Sequence, residues 1–371
     1  MAARECPLED LVRTGWPDWS GRHVLVTGHT GFKGSWLTVW LDLLGAEVHG
    51  FGLDPPTSPS LFESAGIGDL LATEHRADVR DYDRLEAAVR AVRPEAVVHL
   101  AAQPLVARGF DDPVETWGVN VLGTVNVLDV ARRSPEVAVV LVVTTDKVYE
   151  DLGHESGYRE MDRLGGSDPY GASKVAAELV TRSFATVARA KNADGTVRTA
   201  TARSGNVIGG GDWAADRLVP DCLRAFGERK PVGLRSPTAV RPWQHVLDPL
   251  GGYIRLVEKL RGPDGDRFAT AWNFGPDRAG ELAAVELAEL AVRTWGAPAA
   301  IDSEAKSGSI PETHTLRLDS SKAREELGWY PRWNIRTAID RTVEWHKEWM
   351  DGGPMLDTCR RQIDEFMRAT R

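Results

Sequence analysis

In the stretch Pro169-Tyr170-Gly171-Ala172-Ser173-Lys174 a phenol and an amine stand four residues apart. If a helix starts at Pro169, that spacing sets them one turn apart on one face. An ammonium close to a phenol favours the phenolate, lowering a pKa of roughly 10 toward neutrality and making a base for an alcohol proton. Tyrosine and lysine at this spacing also recur on solvated helix faces, where they do nothing. Here the pair follows an apolar run, 137 to 145, that ends in Thr144-Thr145 and continues into Asp146-Lys147.

A second constellation lies upstream, where Val24-Leu25-Val26-Thr27 leads into Gly28-His29-Thr30-Gly31-Phe32-Lys33-Gly34 and then a helical segment. A continuous apolar run suits a parallel strand buried on both faces. The glycines after it let the chain turn sharply, so that backbone N–H groups at a helix N-terminus face a pyrophosphate. The next strand, 47 to 53, ends on Asp54, twenty residues beyond Gly34, where a dinucleotide fold places the carboxylate for the adenosine ribose. Gly28, Thr30, Gly31, Phe32, Lys33, Gly34 and Asp54 are therefore the expected cofactor residues. No arginine follows Asp54 in sequence and the acid repels a 2′-phosphate, so NAD is expected rather than NADP.

Strand and helix go on alternating around these two sites. Residues 35 to 44 have apolar positions at helical spacing and stop at Gly45, a C-cap signal. Asp54-Pro55-Pro56-Thr57-Ser58-Pro59 cannot extend a strand and forms a loop over the nucleotide edge. Asp78-Val79 closes the next strand on the cofactor side, where the carboxylate either accepts from the adenine amino group or caps a helix. Ala96 to Ala102 is another buried strand, ending in Leu100, Ala101 and Ala102, which let a ligand come close. Five strand-helix units by residue 150 describe an α/β fold, a doubly wound parallel Rossmann sheet. The more irregular chain after Ser204 fits a smaller C-terminal substrate-binding lobe. Expected bounds are 20–204 for the NAD-binding part and 205–350 mainly for the sugar-nucleotide lobe, with some chain exchanged between them. Trp16 and Trp19 are placed to pack on the body, and the last twenty residues read as an exposed helix.

With 371 residues the chain can bury a sizeable core, and its net charge of −9 argues against a nucleic-acid partner. Cys6, Cys222 and Cys359 are too scattered for disulfides or a zinc site, so free thiols and no metal are expected, as in a cytoplasmic protein. Neither a signal sequence nor a membrane span is visible.

The glycine turn, the strand His99-Leu100-Ala101-Ala102-Gln103 and the Tyr170–Lys174 pair together resemble the extended short-chain dehydrogenase/reductase family of NAD-dependent epimerases and dehydratases. Within it, the blocks 28–37, 54–63, 144–150, 164–174, 205–221 and 241–250 resemble the CDP-glucose 4,6-dehydratases, over about residues 20 to 345. That resemblance implies an internal redox cycle on a nucleotide-sugar substrate: oxidation at C4, loss of water across C5 and C6, and hydride return to C6. Tyr170 would then be the C4 base, Lys174 its partner and nicotinamide-ribose ligand, and Thr145 the hydrogen-bond donor to the C4 oxygen. Asp146 matches the general acid for the C6 hydroxyl. Lys147 stands where dTDP-glucose relatives carry a glutamate, and it acts either as the C5 base or as an electrostatic stabiliser of the enolate. A lysine base requires burial or a nearby cation to free its amine.

Gln103 and Asn206 match sugar-nucleotide contacts, and Arg217 and Arg241 are expected on the pyrophosphate, which guanidinium forks bind well. Val148 departs from the cysteine of the CDP-glucose branch, which leaves the nucleobase open. Family members commonly pair as homodimers through a four-helix bundle, for which 114–132 and 174–191 are the expected segments. Two other readings stay open: a same-fold enzyme for another nucleotide sugar, including a 4-epimerase, and a non-catalytic nucleotide sensor. An epimerase would have no use for Asp146-Lys147, and a sensor none for Thr145, Tyr170 and Lys174.

Overall fold

The computed structural model describes residues 15–154, 156–190, 197–302 and 315–369; Cys6 and Lys191 lie outside them. Seven strands form one parallel sheet: β1 (His23–Thr27), β2 (Glu47–Gly52), β3 (Thr73–Arg76), β4 (Ala96–His99), β5 (Val139–Val143), β6 (Arg198–Ser204) and β7 (Ala271–Phe274). Their spatial order is 3-2-1-4-5-6-7. The order reverses between β1 and β4, so the connections there leave on opposite faces and a crevice opens at the carboxyl ends.

Residues alternate between two cores with the period of a strand. Val24, Val26, Val139 and Leu141 pack with Trp36 and Trp40 of α1 (Phe32–Leu43) and Leu250 of the helix Leu247–Arg261. Leu25, Val140 and Val142 face the other way, onto Leu85 and Val89 of α2 (Tyr82–Val92) and Val127 and Leu128 of α3 (Gly123–Arg133). The helix α4 (Pro169–Ala190) joins this second face through Val180 and Phe184. A third core, with Ile208, Leu223, Phe226, Trp243, Leu287 and Ile339, is built by residues after Ser204. The same stretch returns β7 to the main sheet, beside β6.

Three details differ from the sequence reading. The link from β2 to β3 has only short helical turns, Leu61–Ser64 and Ile67–Leu70. The chain from Pro113 to Arg133 is helical throughout but widens to a π turn at Gly118–Leu122. The last helix, Met355–Arg368, is not exposed: Met355, Cys359, Ile363 and Phe366 are buried in the first core. These four recur on one helical face, so burying them against α1 removes apolar area from water, about 1.5–3 kcal/mol for each large side chain. Trp16 and Trp19 are buried as expected, with Trp16 4.8 Å from Trp40. Cys222 and Cys359 are buried free thiols.

Candidate active site

The turn after β1 is shaped by contacts that leave no room for side chains. Gly28 has φ +73°, and a Cβ on it would lie 2.6 Å from the Ala101 backbone nitrogen. A Cβ on Gly34 would lie 2.1 Å from the Gly28 carbonyl oxygen. Gly31 caps α1, and Thr30 Oγ1 donates to the Leu53 carbonyl at 2.9 Å, fastening the turn to the end of β2. Leu100 N donates to Thr27 O at 3.0 Å, so Leu100, Ala101 and Ala102 flank the turn from β4. The helix N-terminus thus opens onto the crevice, with Phe32 and Lys33 in its first turn. This cradle fits a pyrophosphate.

At its outer end lies a cavity of about 390 Å³ lined by Asp54, Pro56, Ser58, Phe62 and Arg76. No arginine follows Asp54 in sequence, but β3 is β2's neighbour and Arg76 Nη1 reaches Asp54 Oδ1 at 3.2 Å. Asp78 is held by Arg80. Its carboxylate accepts from Arg80 N at 2.8 Å and from Arg80 Nη2 at 2.6 Å, which holds it below the usual carboxylate range. Val79 is buried in the second core, and its carbonyl accepts from Asn126 Nδ2 at 3.0 Å.

The reacting end is built by α4 and the end of β5. Pro169 opens α4, which places Tyr170, Lys174 and Glu178 four residues apart along one side. Lys174 Nζ donates to Val143 O at 3.1 Å, and burial lowers its pKa to about 8. Tyr170 is buried and lies against Thr145. Its pKa is pushed up to about 12 by burial, against the opposing pull of the Thr145 hydroxyl and Arg217. Desolvation is the largest influence on the phenol. Thr145 Oγ1 donates to Asp146 Oδ1 at 3.0 Å, while buried Oδ2 has no protein partner. Burial raises the Asp146 pKa, opposed by Lys147, Thr145, Arg241 and Lys33. A carboxyl pushed toward its neutral form in this way is suited to donating a proton. Lys147 is partly buried beside it, its backbone N–H donating to Thr145 Oγ1 at 3.3 Å.

Among the expected sugar-nucleotide residues, Arg241 is buried near Asp146 with Nη1 donating to Val240 O at 2.9 Å. Arg217 is ion-paired to Asp212 at 3.1 Å at the same end of the crevice. Asn206 is partly exposed just beyond β6. Gln103 is a correction: its Nε2 donates to Leu105 O at 3.0 Å and Thr116 Oγ1 at 2.8 Å, and Oε1 accepts from Leu105 N at 2.6 Å. Its side chain organises the loop after β4, with both amide hydrogens engaged there.

Several residues that hold the site were not singled out from sequence. Glu178 takes Arg203, Thr144 and Thr201 onto its two oxygens, all buried. Asn120, in the π turn, donates from Nδ2 to Ser173 Oγ at 2.9 Å and to Gln103 O at 3.1 Å, joining α4 to the β4 loop. A π turn where a helix meets a site is a recurring device, but no sequence period announces it. Lys33 was read as a member of the glycine turn alone. Its amine donates to Ser204 Oγ at 2.8 Å, and burial, with Arg217, lowers its pKa to about 7.

Fold and site together define a dinucleotide-dependent enzyme of the Tyr/Lys type. The model of the NAD dependent epimerase/dehydratase family matches residues 24–271, and the chain belongs to that family. The CDP-glucose 4,6-dehydratase of Salmonella typhimurium is 44% identical over 357 residues, 95% of this chain and 98% of that one. Among solved structures, a dTDP-glucose 4,6-dehydratase of Streptomyces venezuelae with NAD bound is similar, with TM-score 0.73 and 25% identity. The match covers 90% of this chain and 99% of that one. The UDP-glucose 4-epimerase of Thermotoga maritima shares the fold at TM-score 0.75 and 22% identity, over 88% and 99% of the two chains.

The buried amine of Lys33 predicts a pH effect of fixed sign. Its pKa is about 7 in the folded protein against 10.5 for an ordinary lysine, so between these values the unfolded chain binds the extra proton. Stability then rises with pH across that window, and the penalty is full below it. In urea unfolding of the ligand-free protein from pH 7 to 9, wild type should gain on Lys33→Met as pH rises. Parallel stability curves would contradict the assignment.

Proposed function

We propose that the protein binds NAD and converts CDP-glucose to CDP-4-keto-6-deoxyglucose, as a nucleotide-sugar 4,6-dehydratase. The observation that carries this is the buried Asp146, with an unpartnered oxygen and Lys147 adjacent, set beside Thr145, Tyr170 and Lys174 in one crevice. A 4-epimerase needs the tyrosine and lysine but gives the acid pair nothing to do. The identity with a CDP-glucose enzyme over nearly the whole chain supports the same substrate.

The glycine cradle and the cavity at Asp54 fit an adenine dinucleotide. NAD, when bound, would supply the hydride acceptor and donor of the cycle. Tyr170 takes the C4 hydroxyl proton, Lys174 favours the phenolate, and the Thr145 hydroxyl orients the C4 oxygen. Once C4 is a ketone, the C5 hydrogen is acidic because the carbanion delocalises into the carbonyl. Lys147 takes that proton, and neutral Asp146 protonates the C6 hydroxyl, which leaves as water as the C5–C6 double bond forms. Hydrogen returned to C6 and a proton to C5 complete the product. Arg241 and Arg217 hold the pyrophosphate, Arg217 by giving up Asp212, and Asn206 meets the sugar nucleotide.

Turnover of CDP-, UDP-, GDP- and dTDP-glucose, followed by the ultraviolet absorbance of a 4-keto-6-deoxy sugar in alkali, tests this reading. CDP-glucose should be the best substrate, and no product from any of the four would overturn it. Asp146→Asn should cut turnover by about 10²–10⁴ while C4 oxidation survives, seen as accumulated reduced cofactor. Normal turnover in that variant would remove Asp146 from the mechanism.

We further propose a homodimer. Val114, Trp117 and Leu122 on the long helix, with Leu179 and Val187 on α4, are large apolar side chains left exposed. Contiguous exposure of this kind marks an interface, and two copies of the face bury it. Light scattering should give twice the chain mass for wild type and a shift toward one for Val114→Asp/Leu179→Asp; a monomeric wild type would contradict the pairing.

A further inference from the structure

The adenosine end of the crevice holds a cation whose charge is already spent. Arg76 Nη1 lies 3.2 Å from Asp54 Oδ1 and donates to Leu53 O at 3.2 Å, while Nη2 lies 2.7 Å from Glu74 Oε1. Its guanidinium stands 5.0 Å over the Phe62 ring, and both Arg76 and Phe62 line the cavity. Glu74 is held in turn by His29 Nε2 at 2.8 Å, and burial lowers the pKa of that imidazole against the pull of Glu74. Two carboxylates and one guanidinium leave the group with a net charge of −1. The Asp54 side chain is 93% exposed at the mouth of the cavity.

We propose that Arg76 is a latent ligand for a 2′-phosphorylated adenosine, and that Asp54 sets cofactor choice by occupying it as well as by repelling the phosphate. The inference rests on the dinucleotide reading of the crevice. Selectivity for the unphosphorylated cofactor then comes from charge balance at one ribose, not from the lack of a cation. A planar fork 3.2 Å from the ribose-binding carboxylate is the geometry that accepts a phosphate once the carboxylate is gone. Stacking on Phe62 and the bond to Glu74 keep the guanidinium in place when Asp54 is replaced.

Calorimetric titration of the full chain with ADP-ribose and with 2′-phospho-ADP-ribose tests this without any turnover. Wild type should bind ADP-ribose about tenfold or more tighter than the phosphorylated ligand. Asp54→Ser should move that ratio about tenfold toward the phosphate, and Asp54→Ser/Arg76→Gln should lose the gain while still binding ADP-ribose. An equal ratio in the single and double variants, or no change of ratio in Asp54→Ser, overturns the role of Arg76 with the dinucleotide site intact. If wild type binds neither ligand, the dinucleotide site itself fails, and the proposal with it.

Discussion

The active site depends on one buried ion pair, Glu178 with Arg203. Arg203 Nε and Nη2 reach the two oxygens of Glu178 at 2.8 and 2.9 Å, and Thr144 and Thr201 donate to the same oxygens. Every lone-pair direction of the carboxylate is thereby used, and Arg203 Nη1 donates to Tyr149 Oη at 2.8 Å. A buried pair earns stability only when it is this fully satisfied, and removing one partner costs about 3–5 kcal/mol. The pair pins α4, two turns beyond Tyr170, to the ends of β5 and β6. The phenol, the amine and the Thr145-Asp146 strand end therefore share one frame.

Inside that frame, desolvation sets the proton inventory. It raises Asp146 and Tyr170 and lowers Lys33 and Lys174, so each group is pushed toward its neutral form. A neutral carboxyl is the form a general acid needs. A neutral phenol is not yet a base.

Local chemistry was legible in the sequence because its residues are local. The glycine turn and the Tyr170–Lys174 spacing each lie within seven residues of chain, and the strand runs before them fix where they point. What stayed hidden depends on neighbours across the sheet. Arg76 reaches Asp54 through β2–β3 pairing, Lys33 reaches Ser204 across 171 residues, and Arg203 reaches Glu178 of α4 from β6. Gln103 was misread because a polar residue after a strand serves the loop as readily as a ligand. The last helix was called exposed although its apolar positions already recurred on one face.

In the proposed cycle one crevice oxidises C4 of the sugar and reduces C6 of the same molecule. Incubation with CDP-glucose carrying deuterium at C4, mixed with unlabelled substrate, tests it most directly by mass spectrometry and proton resonance of the product. Deuterium should appear at C6 of the labelled molecules alone. Deuterium lost to solvent, or shared with the unlabelled sugar, would contradict it.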